Sequence, residues 1–302
     1  MWSIAPKLLA MTTTVTAVAL WTMPAQAAPL PLLSCGETVT GPVVLTHDLH
    51  CHGDGVVLLG GSLNLHRHTI SGDGTGLGVA VAASAGAAVD AAVTSGTITG
   101  FATGIAHVGS DDLTLRLSNL AIHDTTAAAI SSQPNTTEAL DHVVVTDNVG
   151  LGIDETLGGH AVVSHSTINH NGSGVVVDSD GSIDLVRTAI RHNDVAISCS
   201  QGRVGLNHSE VTQNGSGISM FQCEGSVLAN SRFIGNGMAA SEETLGFSDI
   251  ADPTLVIRND VFQGNGTGLH LTPFAMTTVV RDSVFRANGA GIVMDACNVG
   301  ET

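Results

Sequence analysis

Tyrosine is absent from the 302-residue sequence, and the two tryptophans, Trp2 and Trp21, and the lone lysine, Lys7, fall near its start. From residue 28 onward the chain contains no Trp, Tyr or Lys. The missing aromatics remove the flat rings on which sugars stack. The missing lysines leave nine arginines against 27 acidic residues, a formal −18 over residues 28–302. That balance excludes nucleic acid and anionic membrane surfaces as partners, and it opposes unassisted binding of polyanions. Past the first residues no apolar run is long enough to span a bilayer.

Residues 1–27 read as a secretory signal peptide. Lys7 supplies the basic start, Leu8 to Met23 is apolar but broken by threonines, and Ala25-Gln26-Ala27 is a small-x-small cleavage site. The expected product begins at residue 28 and is secreted to the extracellular side, with no transmembrane segment. Its five cysteines then fall in an oxidising compartment, where disulfides persist.

What the chain does contain is a repeat. One apolar position recurs at Ile70, Ile98, Ile122, Val145, Ile168, Ile190, Val211, Phe233, Phe262 and Phe285. A second apolar position lies five residues before each, from Leu65 and Val93 through Leu185 to Val280. A third column, three residues after the first, reads Asn148, Asn171, Asn193, Asn214, Asn236, Asn265 and Asn288 in its last seven members. A period near 22 residues is too short for a strand-helix-strand unit, which needs about 30. It suits a coil of short strands joined by bends and stacked in parallel about 4.8 Å apart. The prediction is an all-β, right-handed parallel β-helix (a solenoid) of about ten coils. Residues 28–64 form an atypical N-terminal cap and 65–302 the repeat domain. The apolar columns point inward, and Asn serves the bends. Two long coils, carrying Val79–Ala92 and Met238–Pro253, are expected to bulge as loops, the second with Glu242, Glu243, Asp249 and Asp252.

With these repeats, the chain resembles the right-handed parallel β-helix proteins of the pectate-lyase-like superfamily. The opening adds to the likeness: Cys35-Gly36-Glu37-Thr38, Leu49-His50-Cys51, Gly53-Asp54-Gly55 and the strand from Leu63 to Gly72 resemble the start of secreted bacterial members. The resemblance implies fold rather than activity, because polysaccharide lyases, hydrolases, esterases, a copper-site maturation factor and non-catalytic surface proteins share it. No catalytic set carries over. Asp111-Asp112 and Gly159-His160 are only fragments of the polygalacturonate-hydrolase pattern, which also needs a lysine.

Stacking suggests a few constellations. Glu155 and Asp178 both lie seven residues after a ladder Asn, which would set them side by side, with Asp154 and Asp180 near and Arg187 and Arg191 on the next coil. Hard oxygen ligands so grouped would suit Ca²⁺, so Glu155, Asp178 and Asp180 are the candidate metal ligands; a solvated acidic strip is the plain alternative. His142, His165 and His208 share one column with Arg187, and His170 and His192 share another. Paired imidazoles suit copper or zinc, as do the clustered His47, His50, His52, His66 and His68 in and after the cap, but the first column also holds Asn119, Asn230, Asn259 and Asp282, which reads as a polar bend position. Cys35 with Cys51, and Cys199 with Cys223, are the expected disulfides; Cys297 is left over.

The aromatic-free composition puts a non-catalytic secreted rod first, one presenting a rigid surface to an extracellular glycan, a surface component or another partner. It predicts no cleavage of common polysaccharides. The second reading is a polysaccharide-active enzyme, such as a calcium-assisted lyase on acidic glycans. The third is a copper-handling factor.

Overall fold

The computed structural model describes residues 32–82, 88–109, 112–243, 255–272 and 278–295. The expected signal peptide, Asp249, Asp252 and Cys297 lie outside these residues. The described residues contain 29 strands and no α-helix. Each strand pairs in parallel with its counterparts one coil away. The product is the expected parallel β-solenoid of about ten turns. Among the described residues no helix is long and apolar enough to cross a membrane.

The repeat columns are the core. Strand pairing carries Leu117 to Leu140, Val163, Leu185, Leu206, Leu228, Ile257 and finally Val280 in unbroken register. All but the last are at most 1 % exposed, whereas Val280, on the last coil described, is 36 % exposed. The rings of Phe233, Phe262 and Phe285 stack face to face with centroids 4.7 and 4.5 Å apart. Stacking begins before residue 65, because Glu37–Val44 already pairs with Val56–Asn64. The Cys35–Cys51 and Cys199–Cys223 disulfides are both formed.

The asparagines form a buried ladder from Asn148 to Asn288. Each amide Nδ2 donates to the next Asn Oδ1 at 2.8–3.1 Å, and each backbone N–H reaches that same oxygen. The left-handed residue of the bend is not the asparagine but the one before it, as at Asp147, His170, His192 and Gln213. The glycine after the asparagine has another reason as well: a Cβ at Gly215 would lie 2.6 Å from the carbonyl oxygen of Asp194 on the preceding coil. Close stacking, not a positive φ, holds that position to glycine.

A second ladder runs two residues before the apolar column, through Ser166, Thr188, Ser209, Ser231, Asp260 and Ser283. Hydroxyl oxygens accept backbone N–H groups from the coil before, as Ser209 Oγ does from Thr188 N at 3.0 Å. Asp260 is the one carboxyl in this row. Its Oδ1 accepts Ser231 N, while Oδ2 is buried without a hydrogen-bond partner. Desolvation pushes its acid up to about 6, above the usual carboxylate range. Because the folded state then binds the proton more tightly, this residue's contribution falls as the pH rises through 6. Asp260→Ser, which restores the residue type of the row, should therefore stabilise the protein by roughly 1–2 kcal/mol at pH above about 7 and by less at acid pH. Urea unfolding at the two pH values checks this.

Both expected loops contain strands. Val79–Ala82 lies in the strand Leu77–Ala82 and Val89–Ala92 in Val89–Thr99, while Met238–Glu243 pairs with Ser216–Phe221 and its Glu242 is buried rather than solvated.

Candidate functional site

The predicted calcium group does not assemble. Along the asparagine ladder, Asn148 and Asn171 lie 23 residues apart, but the strands that follow are matched as Leu151 with Ser173 and Glu155 with Val177, 22 apart. The extra residue is taken up at Val149, which protrudes, 78 % exposed. A slip of one residue turns a side chain to the opposite face. Glu155 consequently points into the core with no exposed surface, whereas Asp178 faces outward beside Ser200. Asp180 is exposed in a bend, lining a groove of about 860 Å³ with Gln201, Arg203, Gln222 and Glu224. Glu155, Asp178 and Asp180 are thus divided between the interior and two outer positions.

Inside the stack Glu155 meets Glu138. Ser132 Oγ lies 2.8 Å from Glu138 Oε1 and 2.9 Å from Glu155 Oε1, and both second carboxyl oxygens are buried without a hydrogen-bond partner. A hydroxyl has one proton to donate, so the trio closes only if a carboxyl is itself protonated. Desolvation raises Glu138 to about 7, and desolvation with the field of Glu138 raises Glu155 well above the ordinary range. Sealed from solvent, this pair has no route to a substrate.

The outer face offers a different cluster at the bend that separates two of the sheets. The residues at this bend, Asn119, His142, His165, Arg187, His208, Asn230, Asn259 and Asp282, all have φ between 48° and 55°. This is the polar bend row read from the sequence. Asn and Asp tolerate that left-handed conformation, while larger side chains carry a cost. Three consecutive coils place His142, His165 and Arg187 there; the two histidines meet Asp141, and Arg187 approaches His165. His142 Nδ1 is 2.8 Å from Asp141 Oδ2, and His165 Nδ1 is 3.0 Å from Asp141 Oδ1. Ser164 Oγ donates to the same Oδ1 at 2.7 Å. The two imidazoles stack with centroids 5.2 Å apart.

The proton positions follow from the partners. An ionised carboxylate only accepts, and Asp141 is ionised: hydrogen bonds from Ser164, then His165 and His142, hold its carboxyl well below the usual range. His165 therefore carries its proton on Nδ1, which leaves the Nε2 lone pair free. That lone pair faces the Arg187 guanidinium at 3.5 Å. The result is an exposed imidazole, oriented by a carboxylate at Nδ1 and flanked by a fixed positive charge at Nε2. His142 also lines a shallow groove of about 540 Å³ with Arg67, Thr97 and Asn119. Val186, the residue before Arg187, lines a second groove of about 350 Å³ with Asp184, Arg203 and Arg258. The sequence reading found the histidine column and Arg187 but missed Asp141 and Ser164. The signal was present as an acid or a serine immediately before a column histidine.

A family model described as the right handed beta helix region matches residues 152–300. Among solved structures, the A-module of the Azotobacter vinelandii mannuronan C-5 epimerase AlgE4 is similar over 88 % of this chain and 89 % of its own, with 13 % identity and a TM-score of 0.60. A mutant of the periplasmic alginate epimerase AlgG is similar over 89 % of this chain and 81 % of its own, with 13 % identity and a TM-score of 0.53. At that identity the likeness establishes the fold. No curated protein sequence matches the chain.

Proposed function

We propose that this right-handed parallel β-helix protein is exported and acts on an acidic polysaccharide, removing a proton next to a uronate carboxyl group. The observation that carries the proposal is the pairing of His142 and His165 with Asp141, with Arg187 facing the outer nitrogen of His165. His165 Nε2 is the base. Asp141 fixes its tautomer and shares the positive charge that develops on the ring. Arg187 neutralises the substrate carboxylate, whose charge grows as the carbon beside it loses its proton. Depending on whether a leaving group departs or a proton returns on the other face, the outcome is elimination or epimerisation.

Two further observations support this reading over a non-catalytic rod. Both solved structures named above are alginate epimerases. Arg203 and Arg258 line the groove that passes Val186, where Arg203 pairs with Asp184 at 3.0 Å. Binding here is by charge and hydrogen bonds, which removes the need for an aromatic platform: of the five described phenylalanines, Phe101, Phe233 and Phe262 are buried and Phe221 and Phe285 are partly so. The two disulfides support an exported location.

The test is hydrogen exchange at uronate C-5 in D₂O, followed by NMR over polymannuronate, polyguluronate and polygalacturonate, with ultraviolet detection of unsaturated products alongside. Exchange or product is expected on at least one polymer. His165→Asn, which keeps a residue type this bend already accommodates at Asn119, Asn230 and Asn259, should lower the rate by about 10²–10⁴-fold with an unchanged melting temperature. If no polymer exchanges or is cleaved, the reading is wrong.

A further inference from the structure

One ring nitrogen each of His142 and His165 and a carboxylate oxygen of Asp141 lie within 4.8 Å of one another on the outer surface, and both rings face the carboxylate through Nδ1, at 2.8 and 3.0 Å. From this geometry we infer that the three residues bind one first-row divalent transition-metal ion, and that its binding switches the His165 base off. The first half stands by itself; the second rests on the function proposed above.

Two imidazole nitrogens and one carboxylate oxygen suit Zn²⁺, Ni²⁺ or Cu²⁺, whereas Ca²⁺ and Mg²⁺ seek oxygen ligands alone. The imidazole–carboxylate contacts, at 2.8 and 3.0 Å, are hydrogen bonds, whereas Zn–N and Zn–O bonds of about 2.0–2.2 Å put neighbouring ligands roughly 3.4 Å apart. Side-chain rotation opens the contacts to admit the ion. The two rings spring from equivalent bend positions on adjacent coils and already overlap, 18° from parallel. Both are well exposed, so they can tilt without moving the backbone. Water completes the coordination shell.

The other histidine pairs show what sets this one apart. His170 and His192 stack more closely, at 4.9 Å, but His170 Nδ1 faces the amide of Asn169 and no carboxylate joins the pair. Near the N-terminus, His52 contacts Asp73 and His68 contacts Asp48, each a single histidine with a single acid. Among the described residues, only Asp141, His142 and His165 bring three ligand groups together.

Occupancy and base function exclude each other by proton bookkeeping. In the metal-free site His165 holds its proton on Nδ1, toward Asp141, and its lone pair on Nε2. A metal on Nδ1 requires the lone pair there, so the ring proton moves to Nε2. The Nε2 lone pair is lost, and with it both the contact from Arg187 and the capacity to accept a substrate proton. Arg187 opposes the ion by charge repulsion, so its removal should strengthen binding.

The experiment is calorimetric titration of the intact, disulfide-bonded protein with Zn²⁺, with imidazole ¹⁵N NMR to locate the ion. One equivalent should bind, shifting the His142 and His165 resonances. His142→Asn and His165→Asn should each weaken binding by at least about tenfold while melting as the wild type does, and Arg187→Gln should tighten it. Absence of saturable binding at millimolar Zn²⁺ overturns the inference. So does binding that survives the His142→Asn, His165→Asn double variant, which would put the ion among the histidines of residues 47–68. If polyuronate exchange is found, Zn²⁺ should suppress it in proportion to occupancy; exchange that persists at saturation overturns the switching half. An absence of exchange on every polymer refutes the proposed function and leaves the binding result to be read separately.

Discussion

Urea unfolding of the wild-type protein should become progressively easier from about pH 5 to about pH 9, and a Glu138→Gln, Glu155→Gln double variant should lose most of that dependence. Both glutamates lie in the apolar core, and Ser132 serves both carboxyl groups with a single hydroxyl. Their folded-state acids are raised, chiefly by desolvation, with Glu138 at about 7 against an ordinary 4.5. A raised folded value means that the native protein holds protons the unfolded chain would release. Stability from the pair is therefore full below the unfolded value and is lost as the pH rises through 7. The displacement from 4.5 to about 7 amounts to roughly 3 kcal/mol for Glu138. The groups around the pair are Asp154, itself raised by desolvation, and on the neighbouring coil His107, whose Nδ1 meets Thr136 Oγ1 at 2.7 Å. Asp260 titrates in the same direction, so some dependence should survive in the double variant. The lowered acids, Asp48, Asp73 and Asp141, act only at more acidic pH. At pH 9 the double variant should be the more stable protein by about 3 kcal/mol, because an amide keeps the shape and hydrogen-bonds without charge. A double variant that follows the wild-type pH curve, or is weaker at pH 9, would refute the shared-proton account.

The same pair shows where the sequence stops being legible. A column survives in sequence when every coil needs the same chemistry at the same place, as with the row from Leu65 to Val280 and the asparagines. It remains legible when a constraint joins distant residues of a scarce type, as with the two disulfides. The side of the wall on which Glu155 falls depends instead on one inserted residue, Val149, and nothing in the composition of a single coil announces a slip of one. The serine ladder was within reach, since Ser166, Thr188, Ser209, Ser231 and Ser283 stand at a constant offset from the apolar column. It escapes notice because small polar residues are common in bends. The outer cluster is less legible still. Its members fill a row that asparagine also fills, so only the contacts with Asp141 distinguish a functional coil from a structural one.

Replacing Asn193 with alanine should cost roughly 3–5 kcal/mol, among the largest losses any single polar substitution can cause here. The side chain is 3 % exposed and uses both ends. Its Oδ1 accepts the backbone N–H and the Nδ2 of Asn171, at 2.9 and 3.0 Å. Its Nδ2 donates to Ile168 O, Arg191 O and Asn214 Oδ1. Alanine would strand donors of Asn171 and acceptors of Asn214 and Ile168 in a region closed to water, where an unmet group costs far more than an average hydrogen bond contributes. Asn288 occupies the same row on the last coil described, where it is only part-buried. Its Oδ1 also accepts twice from the coil before, but water can replace those bonds. Asn288→Ala should therefore cost less than half as much as Asn193→Ala. Equal losses at the two sites would mean that burial does not govern the ladder's strength. A loss below about 1 kcal/mol at Asn193 would mean that the coils are held by apolar packing and strand pairing alone.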